Sequence, residues 1–474
     1  MRYSLSFRGL FCDDLWGDNL DMAKDLFLWN SADSFSDGAF DNVSVSDGAV
    51  TLEQAGGRFV QAGCYTTPEM QCALFTALVA GWNSDTPCGT AVEIQVRVLV
   101  QGQWSAWMSY GKWSPLIARA SVKSTAAADA AVTLDTDTVS VAGPGAAAFQ
   151  LRVFLYSDKP AATPAVRLLS ASVRLARAAA STGDPMNRSV PVPAYSQSIR
   201  DPRIAGVMCS PTTIAMLMNR YGEDLLPEET ALACYDSTYG GFGNWSFTTA
   251  LAGCYGYECY ARFTDIAALK QEIKHGYACG VSVRYTNNAT TAAEKHLPLV
   301  GGTTGTTEGH LLVVRGFSVE EDGTEFVLVN DSFSSCDAAA QRRYRLSEFS
   351  AAWNGMAYIL HPKRCCATLC PPTRRVAELH RADLPGEYAL YLKGERHSLP
   401  VNFAQQGNTY TGCVCSALHE THAYATTAHK CFFYGSVSES GNLRLDLNNA
   451  PAGTKFTVFV INNTGLADVA ELTV

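Results

Sequence analysis

The chain has no apolar run approaching the roughly 20 residues that a membrane-spanning helix requires. It also lacks a basic stripe: 36 Lys and Arg stand against 45 Asp and Glu, for a formal net charge of −9. That balance argues against nucleic acid or an anionic membrane surface as a partner. The opening residues Met1-Arg2-Tyr3-Ser4-Leu5-Ser6-Phe7-Arg8 lack the n-region, apolar core and cleavage pattern of a signal peptide, so the expectation is a cytoplasmic protein unless a leader was removed. No C-x-x-C pair occurs, and His419-Glu420-Thr421-His422 misses the metalloprotease spacing of two histidines four apart. Cys365-Cys366 with Cys370, and Cys413 with Cys415 and Cys431, would gather only if the C-terminal segment folds back, and they lack zinc spacings. Walker and dinucleotide glycine fingerprints are missing too. Neither cofactor nor metal is expected.

What is present points to ordinary globular domains. The chain has 474 residues, 47% hydrophobic and 17% charged, enough for two to four domains with full cores. Its 16 cysteines are scattered over every segment, which fits reduced thiols better than a disulfide framework.

Three regions emerge. Residues 1–180 alternate with period two, as in Val92-Glu93-Ile94-Gln95-Val96-Arg97-Val98, in 149–155 and in 166–175, and predict a β-sandwich or jelly roll. Within it Trp104, Trp107 and Trp113 suit either a stacking platform for sugar or peptide, or packing. Ala178-Ala179-Ala180-Ser181-Thr182-Gly183-Asp184-Pro185 reads as a linker, and a second lies between His361 and Thr373. The last region, 373–474, alternates again, as in Thr454-Lys455-Phe456-Thr457-Val458-Phe459, and predicts a second, small β-sandwich.

The middle region, 188–362, differs. Helical signals at 209–221, 228–234, 247–255 and 265–275 precede strand signals at 280–285, 310–317, 325–330 and 357–360, an α+β order. Thr264 is the expected cap of the last helix and Gly276 its end. Cys209-Ser210-Pro211-Thr212-Thr213 sets a thiol at a helix entrance. There free N–H groups and the positive dipole end favour thiolate. Pro211 suits the first turn, and Ile214, Leu217, Met218 and Tyr221 recur on one face.

A lone cysteine beside an apolar helix is usually a core residue; its partners decide otherwise. Gln197, in Pro193-Ala194-Tyr195-Ser196-Gln197, brings an amide able to donate to an oxyanion. His310, in Gly309-His310-Leu311, opens a buried-looking strand after a loop rich in Gly and Thr. A hairpin turned by Asp322-Gly323 returns a strand ending in Asn330-Asp331, one strand spacing from His310. Asn330 is an alternative orienting group. His275 reads as a helix C-terminal cap, His296 as a loop residue, and Glu308 as a substrate contact or a solvated carboxylate. Cys, His and Asp with an amide donor form a complete set for acyl transfer.

These segments, with Gly243-Asn244-Trp245 and Val329-Asn330-Asp331-Ser332, resemble the papain-like cysteine peptidases related to bacteriocin-processing double-glycine leader peptidases, and more closely their free-standing bacterial branch. The resemblance runs from about 190 to 360. It implies a papain-like α+β domain in which Cys209 is nucleophile, His310 base, Asp331 orienting acid and Gln197 oxyanion donor, acting on a peptide or protein. Transporter-linked members carry Gln nearer the Cys, and Gly where Ser210 stands. Two other readings share these residues: a thiol amidase or transpeptidase on cell-wall peptides, and a catalytically silent binding protein on a peptidase fold. The oligomeric state is not legible.

Overall fold

Period-two alternation carries through into the folded chain, a computed structural model in which the protein is multidomain and mostly β with few helices. The structure describes residues 24–362 apart from 88, 116, 118, 126–130, 178–179, 201–203, 224, 226 and 289–295, and beyond them the strands between 378 and 473. The opening residues 1–8 and Cys365, Cys366 and Cys370 lie outside the described residues.

In the first region, strands Thr90–Val100 and Ala146–Ser157 bury mainly alternate side chains, whereas Ala165–Leu175 is buried on both faces from Leu168 to Val173. Strand Met70–Asp85 ties the sheet together, pairing first with Ala146–Ser157 (Met70 opposite Phe149) and then with Ala165–Leu175 (Leu78 opposite Val173). Trp113 is fully buried, its ring edge-on to Trp82 at 6.2 Å. Trp104 and Trp107 already carry guanidinium groups: Arg97 lies 4.5 and 4.9 Å from the two ring centroids, and Arg152 lies 4.2 Å from Trp107.

The middle region has an antiparallel sheet whose strands run, in order across it, Glu258–Phe263, Trp353–His361, Cys279–Thr286, Thr306–Val319, Glu325–Asn330 and Gln341–Arg345. Helix Cys209–Asn219 packs against Thr306–Val319 on one side and helices Pro227–Cys234 and Trp245–Cys254 on the other. It is buried all round from Ser210 to Met218, not on one face, because it is enclosed on every side. Helix Ile266–His275 ends at Gly276, whose φ of 91° is the left-handed conformation that glycine tolerates. Its cap is Asp265 rather than Thr264: the Asp265 carboxylate accepts from Ala268 N–H at 2.9 Å, while Thr264 N–H is spent on Gly355 O.

One apolar core runs through both regions. Trp82 meets Phe247 edge-on at 6.2 Å, and Asn83 exchanges two hydrogen bonds with the backbone of Cys259 at 2.7 and 3.0 Å. Truncating Phe247 to Ala would cost about 3–5 kcal/mol and loosen this joint. Beyond 378 the described strands form antiparallel sheets, among them Thr421–Thr426 between Cys431–Val437 and Lys455–Ile461.

Candidate active site

Cys209 is the first residue of its helix, and the preceding Met208 offers no capping side chain, so the sulfur itself takes a first-turn N–H, that of Ser210. The thiol is partly exposed. Burial pushes its pKa up, but the hydrogen bond and charge of His310 and the N–H groups of Leu311 and Ser210 outweigh that, and the net shift is downward. Other thiols move the opposite way on desolvation, the buried Cys234 to about 12 and the half-buried Cys72 to about 11.

His310 does not open its strand but lies inside it. The strand starts at Thr306 because Thr306 and Thr307 pair with Thr286 and Tyr285. The ring is 4% exposed, edge-on to Phe333, and its Nε2 meets Asp331 Oδ1 at 2.8 Å. That leaves Nδ1 for the Cys209 sulfur. Desolvation alone would lower the imidazole; the Asp331 charge and hydrogen bond, with those of Cys209, raise it well above its ordinary value.

Asp331 follows strand Glu325–Asn330 and is fully buried. Its Oδ1 also accepts from Thr303 Oγ1 at 3.0 Å and Phe333 N–H at 3.1 Å, and its Oδ2 from Tyr344 O–H at 2.7 Å. Burial pushes the carboxyl up, yet the His310 charge and these donors hold it at about 2. Asn330 instead turns away, its amide donating to the carbonyls of Val192 and Pro193.

Gln197 is buried beside this group. Its Nε2 donates to Ala205 O at 2.6 Å and its Oε1 accepts from Ser332 Oγ at 2.7 Å; the same hydroxyl reaches Leu311 O at 3.3 Å. No hydrogen bond joins it to Cys209 among the described residues, and one amide hydrogen is left over. His275 sits on Gln271 O at its helix end, and His296 pairs with Glu308 at 2.9 Å, away from His310. No group of three or more metal-ligating side chains occurs among the described residues.

Sequence reasoning missed a loop on the Cys209 side of the domain. Tyr239 is 54% exposed, and its phenol pKa is raised by desolvation first and then by the charge of Cys209. The ring lies across Gly241 and Gly243; a Cβ on Gly243 would come 3.0 Å from the Tyr239 oxygen. Asp236, fully buried, ties this loop down, accepting from the N–H groups of Thr238 and Tyr239, from Asn244 Nδ2 and from Ser121 N–H of the first region. Asp137, also from the first region, accepts from Trp245 N–H at the start of helix Trp245–Cys254. The run Tyr239-Gly240-Gly241-Phe242-Gly243 was the available signal; its proximity to Cys209 is tertiary.

Residues 25–173 match the Peptidase C39 N-terminal domain, and residues 190–360 match the Peptidase C39 like family. No curated protein matches the chain. Among solved structures, the C-terminal CBM6 of LamC, a marine laminarinase from Zobellia galactanivorans, is 12% identical at a TM-score of 0.18, covering 31% of this chain and 99% of its own. The low-affinity xylan-binding module CBM86 of Roseburia intestinalis is 15% identical at 0.18, covering 32% and 96%. At those scores neither likeness carries an argument.

Proposed function

Because residues 190–360 belong to the peptidase C39-like family, behind a peptidase C39 N-terminal domain, we propose that the chain is a cysteine peptidase that cleaves peptide bonds through Cys209, His310 and Asp331. One observation supports the reading most: His310 Nε2 rests 2.8 Å from the buried Asp331 carboxylate, and the same imidazole lies near enough to Cys209 to pull its thiol pKa down. In this reading Asp331 fixes the tautomer and stabilises the imidazolium, so the pair rests as thiolate and imidazolium. The thiolate attacks the carbonyl carbon. The oxyanion meets first-turn N–H groups and the spare hydrogen of Gln197 Nε2. His310 then gives its proton to the leaving amine, the C–N bond breaks, and a thioester remains on Cys209. His310 next takes a proton from water, whose attack releases the acid and the thiol.

The mouth favours bulky apolar side chains. Val207 (57% exposed) stands two residues before Cys209, the exposed Tyr239 feels the Cys209 charge, and Leu297 (62%) and Val300 (69%) lie on the loop whose Thr303 reaches Asp331. The test is product analysis of a mixed peptide library, folded proteins and cell-wall peptides incubated with the full chain and with Cys209→Ala. New peptide termini from the wild type alone support the reading. Cleavage confined to cell-wall peptides would make it an amidase, and no turnover of any of them would leave a binding protein.

A further inference from the structure

Strand Thr306–Val319 carries a β-bulge between Val314 and Gly316, and the residue at the bulge is Arg315. A bulge re-aims a side chain that regular pairing would send elsewhere. Here the guanidinium lines an open cavity of about 370 Å³, together with Val192, Pro193, Asn219, Arg220 and Gln341. Among the described residues the Arg315 side chain makes no hydrogen bond or ion pair, its Nε is buried without a partner, and desolvation pushes its pKa down. Arg220 adds a second cation, held in place by the carbonyls of Pro191 and Gly276. No carboxylate lines the cavity, in a chain of net charge −9.

A half-buried cation without a counter-charge is costly unless something supplies one. We propose that this cavity binds an oxyanion, the carboxylate or phosphate group of a ligand, with Arg315 as its principal anchor. Arginine's planar fork matches two oxygens of either group. The two neighbouring prolines offer no N–H, so side chains supply the recognition. The site is separate from the thiol: it lies at the C-terminal end of helix Cys209–Asn219, about 15 Å along the helix axis from Cys209. It is independent of the peptidase reading.

The experiment is thermal melting of the full chain at constant ionic strength, titrated with inorganic phosphate and, separately, with an N-acetylated tripeptide bearing a free C-terminal carboxylate, against its amidated twin. A saturable rise in melting temperature with phosphate, with the free-acid tripeptide, or with both supports the site, and the pattern identifies the source of the oxyanion. Arg315→Met should weaken the response roughly 10- to 100-fold, the usual scale for losing a charge-assisted contact. Arg315→Lys, which keeps the charge and loses the fork, should fall between. Arg343→Met, at an exposed pair with Glu320, should leave the response unchanged. Shifts that never saturate, or that are equal in wild type and Arg315→Met, would overturn the proposal; if Arg315→Met does not fold, an undiminished response in Arg315→Lys does so.

Discussion

Asp331→Asn is the substitution whose effect can be worked furthest from the structure. The carboxylate is fully buried and held at about 2 against an ordinary 3.8, chiefly by the His310 charge working against desolvation. That net difference is about 2 kcal/mol, and because desolvation opposes it, the stabilisation by His310, Tyr344 and Phe333 together is larger. Coupling is mutual, so its loss should lower the His310 pKa, and the Cys209 pKa should climb back as its imidazolium weakens. The thiolate limb of alkylation therefore moves to higher pH, and the rate at pH 6 falls roughly 10-fold. The assay is iodoacetamide labelling across pH 4.5–9, with Cys209 and the exposed Cys336 quantified by peptide mass spectrometry. Wild-type Cys209 should react well below the pH at which an ordinary thiol does. Superimposable profiles for wild type and Asp331→Asn would refute the claim that Asp331 tunes the pair.

Gln197→Ala should slow peptide turnover by roughly 10–1000-fold without blocking alkylation of Cys209, because it removes one oxyanion donor and leaves the thiolate intact; kcat and labelling rates measured together check this. Tyr239→Ala should raise KM for peptides with bulky apolar residues next to the cleaved bond by roughly 10-fold and leave small-residue peptides unaffected, measured by competition within one library. Asp137 is buried beside Asp236, and desolvation first, with that second carboxylate, pushes it up to about 7 despite the Trp245 N–H. Its folded pKa is above its unfolded value, so stability falls as pH rises from about 4 to about 7. Asp137→Asn should flatten that slope and raise stability at pH 8 by about 1–4 kcal/mol, read by urea unfolding at several pH values.

Local signals carried much of the fold. Gly276 ended its helix where the left-handed turn required glycine, and Asp322-Gly323 turned the hairpin that sets Glu325–Asn330 beside the His310 strand. The errors arose where two neighbours competed for one role. Asp265 displaced Thr264 as a cap because the helix begins at Ile266, which sets the Asp265 carboxylate, and not the Thr264 hydroxyl, opposite the Ala268 N–H. The strands Glu258–Phe263 and Gln341–Arg345 escaped detection: the first carries mixed residues, and the second is nearly all polar yet pairs along its whole length with Glu325–Asn330. His310 lies inside its strand and not at its start, but Cys209, which begins a helix, and Asp331, which follows a strand, were readable from strong local signals. Tyr239, Asp236 and Asp137 were not, since their positions depend on a loop of the first region folding over one of the second. The bulge at Arg315 likewise leaves no mark in a run that reads as uninterrupted strand.

The central claim is that Cys209 forms and loses a covalent bond to substrate. Rapid acid quenching of a turnover mixture, followed by peptide mapping, measures this directly. The account predicts a substrate acyl fragment on Cys209, removable by hydroxylamine as a thioester should be, and no product or adduct in Cys209→Ala, whose fold should be nearly as stable as the wild type. Product released at an undiminished rate by Cys209→Ala, with no acyl fragment on the wild-type thiol, would contradict it.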